Sequence, residues 1–219
     1  MAAIKELPGP LWSMAQLRRH LGMIPAERII LAPLPGTATP KDVLYLDDHH
    51  NMICELIDGV LVRKPMGFEQ SVLAMFLGHQ IQSFLDKHDL GIIGGEAGFV
   101  KLKAKQVRAS DVAFYSWDRL PDGQLPKNGI PRLVPDLAVE ILSASNTPRE
   151  MKRKRRELFA KGTRLIWIID SEAKTVEVFT SPTESTALRM GDVLDGGGVL
   201  PGFKLPLSKL FAPRRQRRK

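Results

Sequence analysis

The sequence predicts a mixed α/β domain built on a central β-sheet with helices packed against it. Three observations carry that expectation. An Asp-Gly pair separates two short apolar runs at 54–63 (CELI-DG-VLVR), the pattern of a two-residue β-hairpin. Apolar residues at 68, 72, 73, 76, 77, 81, 84 and 85 keep a helical spacing over about five turns. Finally, two nearly continuous apolar runs, 136–142 (DLAVEIL) and 165–170 (LIWIID), flank a charged segment that opens on a capping box, as expected of two buried strands joined by a helix.

Taken in order, the chain begins with an irregular signal. Prolines at 8, 10, 25, 33, 35 and 40 break any long periodicity, so residues 1–40 are expected to form an arm wrapped on the domain, with a short amphipathic helix at 12–21 (WSMAQLRRHL). The domain proper is expected over 41–211. Its hairpin at 54–63 puts Glu55 on a strand, and the long helix follows at 68–87. Strands are expected at 91–100 and 108–117, the second with Asp111, Ala113 and Tyr115 on one face. A Pro- and Gly-containing loop at 121–135 leads to the strand 136–142. Thr147-Pro148-Arg149-Glu150 then combines a capping box with proline at the first helical position, and Gly162 is placed to end that helix. The strand 165–170 should pair with 175–180, a polar hairpin around the glycines at 196–198 should close the domain, and 212–219 reads as a basic disordered tail.

Composition narrows the class. With 43% hydrophobic and 26% charged residues among 219, the chain can bury a core, which excludes disordered, collagen-like and disulfide-stapled proteins. The formal charge is +8. It is concentrated in two places: Arg214, Arg215, Arg217, Arg218 and Lys219 at the C-terminus, and six bases against Glu150 within 149–156. The rest of the body is close to neutral. A single cysteine, Cys54, can form no internal disulfide, which fits a reducing compartment. No run approaches the roughly 20 apolar residues of a membrane span, and no apolar run near the N-terminus suits a signal peptide. A cytoplasmic protein without membrane contact is expected.

Acidic residues inside buried-looking strands are the chemical anomaly. Alternation puts Asp136, Ala138, Glu140 and Leu142 on one face, so Glu140 interrupts a run that burial would fill with Val or Ile, and Asp111 stands similarly before VAFY. Buried carboxylates cost several kcal/mol unless paired, so a shared positive partner is implied. Either a hard divalent cation or arginine pairing would satisfy them. Met151, Lys154 and Leu158 recur at i, i+3 and i+7, which turns Lys154 toward the sheet; there it could join the carboxylates or cover apolar surface with its stem. Arg149, Lys152, Arg153, Arg155 and Arg156 form either a solvated helix face or a phosphate-backbone contact. His49 and His50 read as solvated loop residues and His79 as structural or exposed. Ser143 and Ser145 lack a general base at recognisable spacing, which does not support a serine hydrolase.

Five blocks in unbroken order extend this reading: ELIDGVLVRKP at 55–65, SDVAF at 110–114, PDLAVEILSASNT at 135–147, KRRELFAKGTRLIWIID at 154–170 and PGFKLPLSKLF at 201–211. Together they resemble the Uma2-like endonuclease family, formerly a domain of unknown function, within the PD-(D/E)XK restriction-endonuclease-like superfamily. The resemblance implies a restriction-endonuclease-like mixed sheet flanked by helices and a nuclease acting on nucleic-acid phosphodiester bonds. Residue by residue, it implies that Glu55, Asp111 and Glu140 hold Mg²⁺ (or Mn²⁺) and that Lys154 replaces the superfamily lysine, since Leu142 occupies the place two residues after Glu140. It further implies DNA as partner and a homodimer whose two sites face a duplex. Three departures stand out: Ser110 replaces the usual proline, Leu158 a common aromatic, and Glu69 and Gln70 stand where relatives often carry a histidine. A catalytically silent nucleic-acid-binding or protein-interaction module on the same fold is the alternative.

Overall fold

The computed structural model describes residues 10–64, 67–127 and 129–212. The start of the expected arm, residues 1–9, and the basic tail from Arg214 onward lie outside the described residues. Described elements are, in order, α1 (Met14–His20), β1 (Ile29–Ile30), α2 (Pro40–His50), β2 (Cys54–Ile57), β3 (Val60–Arg63), α3 (Phe68–Leu85), β4 (Gly91–Gly95), β5 (Val100–Lys103), β6 (Gln106–Arg108), β7 (Val112–Ser116), β8 (Leu137–Ile141), α4 (Pro148–Phe159), β9 (Leu165–Asp170), β10 (Thr175–Phe179), β11 (Ser185–Leu188), β12 (Val193–Asp195), β13 (Lys204–Pro206) and α5 (Leu207–Leu210).

Two larger sheets replace the single central sheet that the sequence predicted. A six-stranded sheet runs β11-β10-β9-β8-β7-β4, and a five-stranded sheet runs β1-β3-β2-β6-β5. The split arises where 91–100 and 108–117 were each expected to be one strand. After β4 a turn closed by Gly98 N–H on the Gly95 carbonyl sends the chain into β5 of the other sheet. Between β6 and β7, residues 109–111 carry it back. Asp111 therefore stands at a crossing between sheets, not inside a strand.

The β2–β3 hairpin turns through Asp58 (φ 49°) and Gly59 (φ 78°), both left-handed, which is what a type I′ hairpin requires. In the six-stranded sheet every pair is antiparallel except β8 and β9. Parallel neighbours need a crossover, and α4 is that crossover. Its start is as the sequence predicts: Thr147 Oγ1 accepts from the Glu150 N–H, the Glu150 carboxylate accepts from the Thr147 N–H, and Pro148 takes the first helical position.

Strand alternation then sorts the core. Leu137, Val139 and Ile141 pack with Leu73, Leu77 and Ile81 of α3 and with Trp167, while Ala113, Tyr115, Ala138 and Ile166 pack under Met151 and Leu158 of α4. Glu140 shares the second face. The arm is fastened by buried Arg28, which donates to both carboxylate oxygens of Glu150 (2.9 and 2.6 Å) and to the carbonyls of Arg63 and Ser145.

Two helices were not foreseen, the four-residue α5 and the longer α2. α2 begins on a proline in the stretch read as irregular, with Asp42 accepting from the Thr39 N–H and hydroxyl, and it ends at His49 and His50, which were expected on a loop. His49 stacks on Tyr45 with ring centroids 4.4 Å apart. Among the described residues, no helix is long and apolar enough to cross a membrane.

A buried charge cluster as the candidate active site

The cluster forms where the two sheets meet under α4. Glu55 projects from β2 of one sheet, Glu140 from β8 of the other, and Lys154 reaches between them from α4. Its Nζ lies 2.8 Å from Glu55 Oε1 and 2.6 Å from Glu140 Oε2, and donates to the Ala109 carbonyl at 2.7 Å. All three side chains are buried, Lys154 being 3% exposed. The helical spacing that turned Lys154 toward the sheet thus brings it to both predicted carboxylates.

Asp111 completes the set from the crossing. Val112 pairs with Val139 across β7 and β8, the Asp111 N–H donates to the Val139 carbonyl at 3.0 Å, and the Asp111 carboxyl lies near enough to Glu140 for the two to repel. Asp111 Oδ2 accepts from the Ile141 N–H at 2.6 Å, and Oδ1 lies 2.7 Å from Lys64 Nζ. Lys64, 11% exposed, follows β3 directly. It was not foreseen, and neither was Arg108 at the end of β6, which donates to Glu55 Oε2 at 2.6 Å and to Glu157. The available signal was a strand-end Lys and a strand-end Arg beside acidic strands, but strand alternation does not say which strand lies opposite. A third unforeseen residue is Glu96, half-buried in the turn after β4.

The cluster's charges follow from these contacts. Burial opposes ionisation of Glu55, but the cations of Lys154, Arg108 and Lys64 outweigh it and hold that carboxyl well below the usual range. Glu140 goes the other way: burial raises it beyond what Lys154 and Lys64 offset, and Asp111 and Glu55 add repulsion. Desolvation would lower Lys154, yet Glu140 and Glu55 keep it above an ordinary lysine, so it is an ammonium at neutral pH. Burial also raises the Glu96 carboxyl, with Lys64 opposing and Asp111 reinforcing. One atom is left over. Among the described residues, Glu140 Oε1 is buried with no hydrogen-bond partner. Asp136, at the other end of the same strand run, makes the contrast: its oxygens accept from Ser116, Arg119 and Arg164, which explains its burial by structure alone.

The helix bases divide. Arg149, Lys152 and Arg156 are exposed, and 3.6-residue periodicity puts them on the side of α4 away from Lys154. Arg153 and Arg155 are engaged within the chain. Arg153 contacts Asp58 (2.6 Å), Glu157 (2.7 Å) and the His20 carbonyl, while Arg155 donates to the Pro182 carbonyl and lies 3.8 Å above the Phe179 ring centroid.

Residues 40–208 match the model of the Uma2 family, whose description is "Putative restriction endonuclease". The chain belongs to the Uma2 family. No curated protein matches it. Among solved structures, this Uma2 chain is similar to a crystal structure of "a putative nuclease belonging to DUF820" from Anabaena variabilis ATCC 29413, with 21% identity, a TM-score of 0.67, and coverage of 80% of this chain and 97% of that one. The fold is therefore restriction-endonuclease-like, as the sequence predicts, with its sheet in two parts.

A divalent cation is the group such families imply. Among the described residues, no set of three or more His, Cys, Asp or Glu is arranged to hold one. Mg²⁺, however, keeps several waters and takes only one or two carboxylates together with substrate phosphate. The neighbouring carboxylates of Asp111 and Glu140 fit that demand, and the unpartnered Glu140 Oε1 is the observation that supports the fit. Both oxygens of Glu55 are taken by Arg108, Lys154 and the Ala109 N–H, and those of Asp111 by Lys64 and the Ile141 N–H, but Glu55 is held by two cations and Asp111 by one, so Glu55 fits less well.

Proposed function

We propose that this Uma2 chain is a metal-dependent endonuclease that hydrolyses phosphodiester bonds in DNA. The observation that carries the reading is the junction cluster: two neighbouring carboxylates, one with a buried unpartnered oxygen, beside a buried ammonium held by a further acid. On this reading Asp111 and Glu140 hold Mg²⁺ or Mn²⁺, which when bound supplies Lewis-acid polarisation of the phosphoryl oxygen and a more acidic water. Lys154 supplies a fixed positive charge for the negative charge that develops on the phosphoryl group, and Glu55 with the Ala109 carbonyl keeps its ammonium in place. Glu55 thus serves as a positioning residue, not as a ligand. Arg149, Lys152 and Arg156 contact the phosphate backbone from the outer face of α4. The working form is a cytoplasmic homodimer, a fold-level analogy with superfamily enzymes whose two sites face a duplex.

Incubation of the purified protein with single- and double-stranded DNA and RNA in Mg²⁺ or Mn²⁺ tests this. Cleavage that disappears in Glu140→Ala is expected; no cleavage, or cleavage indifferent to that substitution, would overturn it. Two observations favour a second reading, the catalytically silent binding module. Lys64 already neutralises Asp111, and Glu69 and Gln70 stand where relatives often carry a histidine. Nucleic-acid binding without detectable Mn²⁺ binding would select it.

A further inference from the structure

Beside the charge cluster lies a cavity of about 480 Å³, between one face of α3 and the outer strand β4. It is within the roughly 300–1,000 Å³ range of small-molecule sites. Two features make it unlike a packing defect. Its walls carry no side chain at Gly78 of α3 and at Gly95 of β4, so a flat object can lie between helix and strand. Its lining carries two carboxylates, Asp111 and Glu96, opposite the polar side chains of Ser71, His79 and Gln82 of α3. The cavity is thus continuous with the cluster through Asp111.

We propose that this cavity takes one unstacked nucleobase of the substrate, next to the phosphate held at Asp111 and Glu140. The inference rests on the nuclease reading and deepens it by naming what the enzyme reads. A nucleobase is the occupant that the chemistry favours. An acidic wall disfavours phosphate, so the backbone does not enter. A carboxylate accepts from exocyclic amines, as on cytosine N4, adenine N6 or guanine N2, and the Glu96 side chain has no hydrogen bond or ion pair among the described residues that would compete. The largely apolar remainder, with Ile93 and Met75, offers ring faces a dry surface. Thymine has no amino group to give Glu96. Enzymes that act on an extruded base bury it in this way, and the extrusion cost is least where the strand is already single.

The glycines allow a clean test. A Cβ on Gly78 would meet nothing nearer than Ile93 Cδ1 at 3.8 Å, so a side chain can start from this position, and Gly78→Leu is the variant that fills the cavity. Binding of the full chain is measured in Ca²⁺, without turnover, to equal-length single strands of deoxycytidine, deoxyadenosine, thymidine and abasic sugar. Expected for the wild type is an affinity about tenfold higher for the amino-bearing strands than for the abasic one, with thymidine between. Glu96→Gln should bring the amino-bearing strands down toward thymidine. Gly78→Leu, with an unchanged melting temperature, should reduce every strand to the abasic level. Equal wild-type affinity for all four strands, or a Gly78→Leu loss that is the same on the abasic strand, would overturn the cavity assignment while leaving the nuclease reading standing. If no strand or duplex binds or is cleaved at all, both fall together.

Discussion

Lys154 is the group on which the junction's electrostatics turn. Replacing it by Met would leave Glu55 and Glu140 buried with their shared cation gone, and breaking a buried pair from one side costs about 3–5 kcal/mol. A fall of that size in urea stability at neutral pH is expected; a variant as stable as the wild type would mean that the acids are hydrated. The two acids should then respond oppositely to pH. The folded-state value of Glu55 is lowered, so its contribution is present above the ordinary carboxylate value near 4.3 and is lost as pH falls through the lowered value. That of Glu140 is raised, so its ionisation withdraws stability, and the fold recovers it as pH falls through the raised value toward the ordinary one. In metal-free buffer, Glu55→Gln should therefore destabilise at neutral pH by an amount that shrinks in acid, whereas Glu140→Gln should be neutral or stabilising. Denaturant midpoints across a pH series decide this, and the opposite order would refute the assignment. Lys154 was legible because helical period fixes a side chain's direction within one element. Lys64 and Arg108 were not, because their partners depend on which strands meet across two sheets. The sequence asked for one positive partner shared by the carboxylates, and the fold supplies three.

At the scale of elements, α4 is held at its start by a local device and a distant one. Thr147→Ala removes the cap and should cost about 1 kcal/mol. Arg28→Met removes the cation from Glu150, buried and 122 positions away, and should cost about 3–5 kcal/mol. Thermal melts of the two variants test the order; an Arg28 variant no worse than the cap variant would show that the arm adds nothing to the helix. The same contrast explains what could be read in advance. The cap of α4, the type I′ hairpin and the period of α3 are local signals, each complete within a few residues. α2 was hidden because its capping acid is Asp42, its apolar positions are few and Val43 alone is buried, so it carries little periodicity against a background of prolines. The division of 91–100 between two sheets was hidden for a different reason. Val100 pairs with β6 while Ile92 and Ile93 pair with β7, and an apolar run looks the same whichever sheet receives it.

For the molecule as a whole, the charge of +8 is a matter of position. Lys154, Lys64 and Arg108 are consumed by the junction, and Arg153 and Arg155 by partners on the chain, which leaves Arg149, Lys152 and Arg156 as the outward charge of α4. Each phosphate neutralised by a base steepens the salt dependence of duplex binding by about 0.9 in log–log slope. Converting the three to Gln should lower the slope by about 2–3 if the duplex lies along this face, and it should leave the melting temperature unchanged, since such exposed substitutions stay within about 0.5 kcal/mol. Deleting residues 214–219 removes five bases by another route. If the tail alone attracts nucleic acid, truncation flattens the slope and the triple variant does not. If α4 is the contact, the triple variant flattens it in the wild-type and truncated backgrounds alike, because the two sets of bases then bind separate phosphates and their effects add.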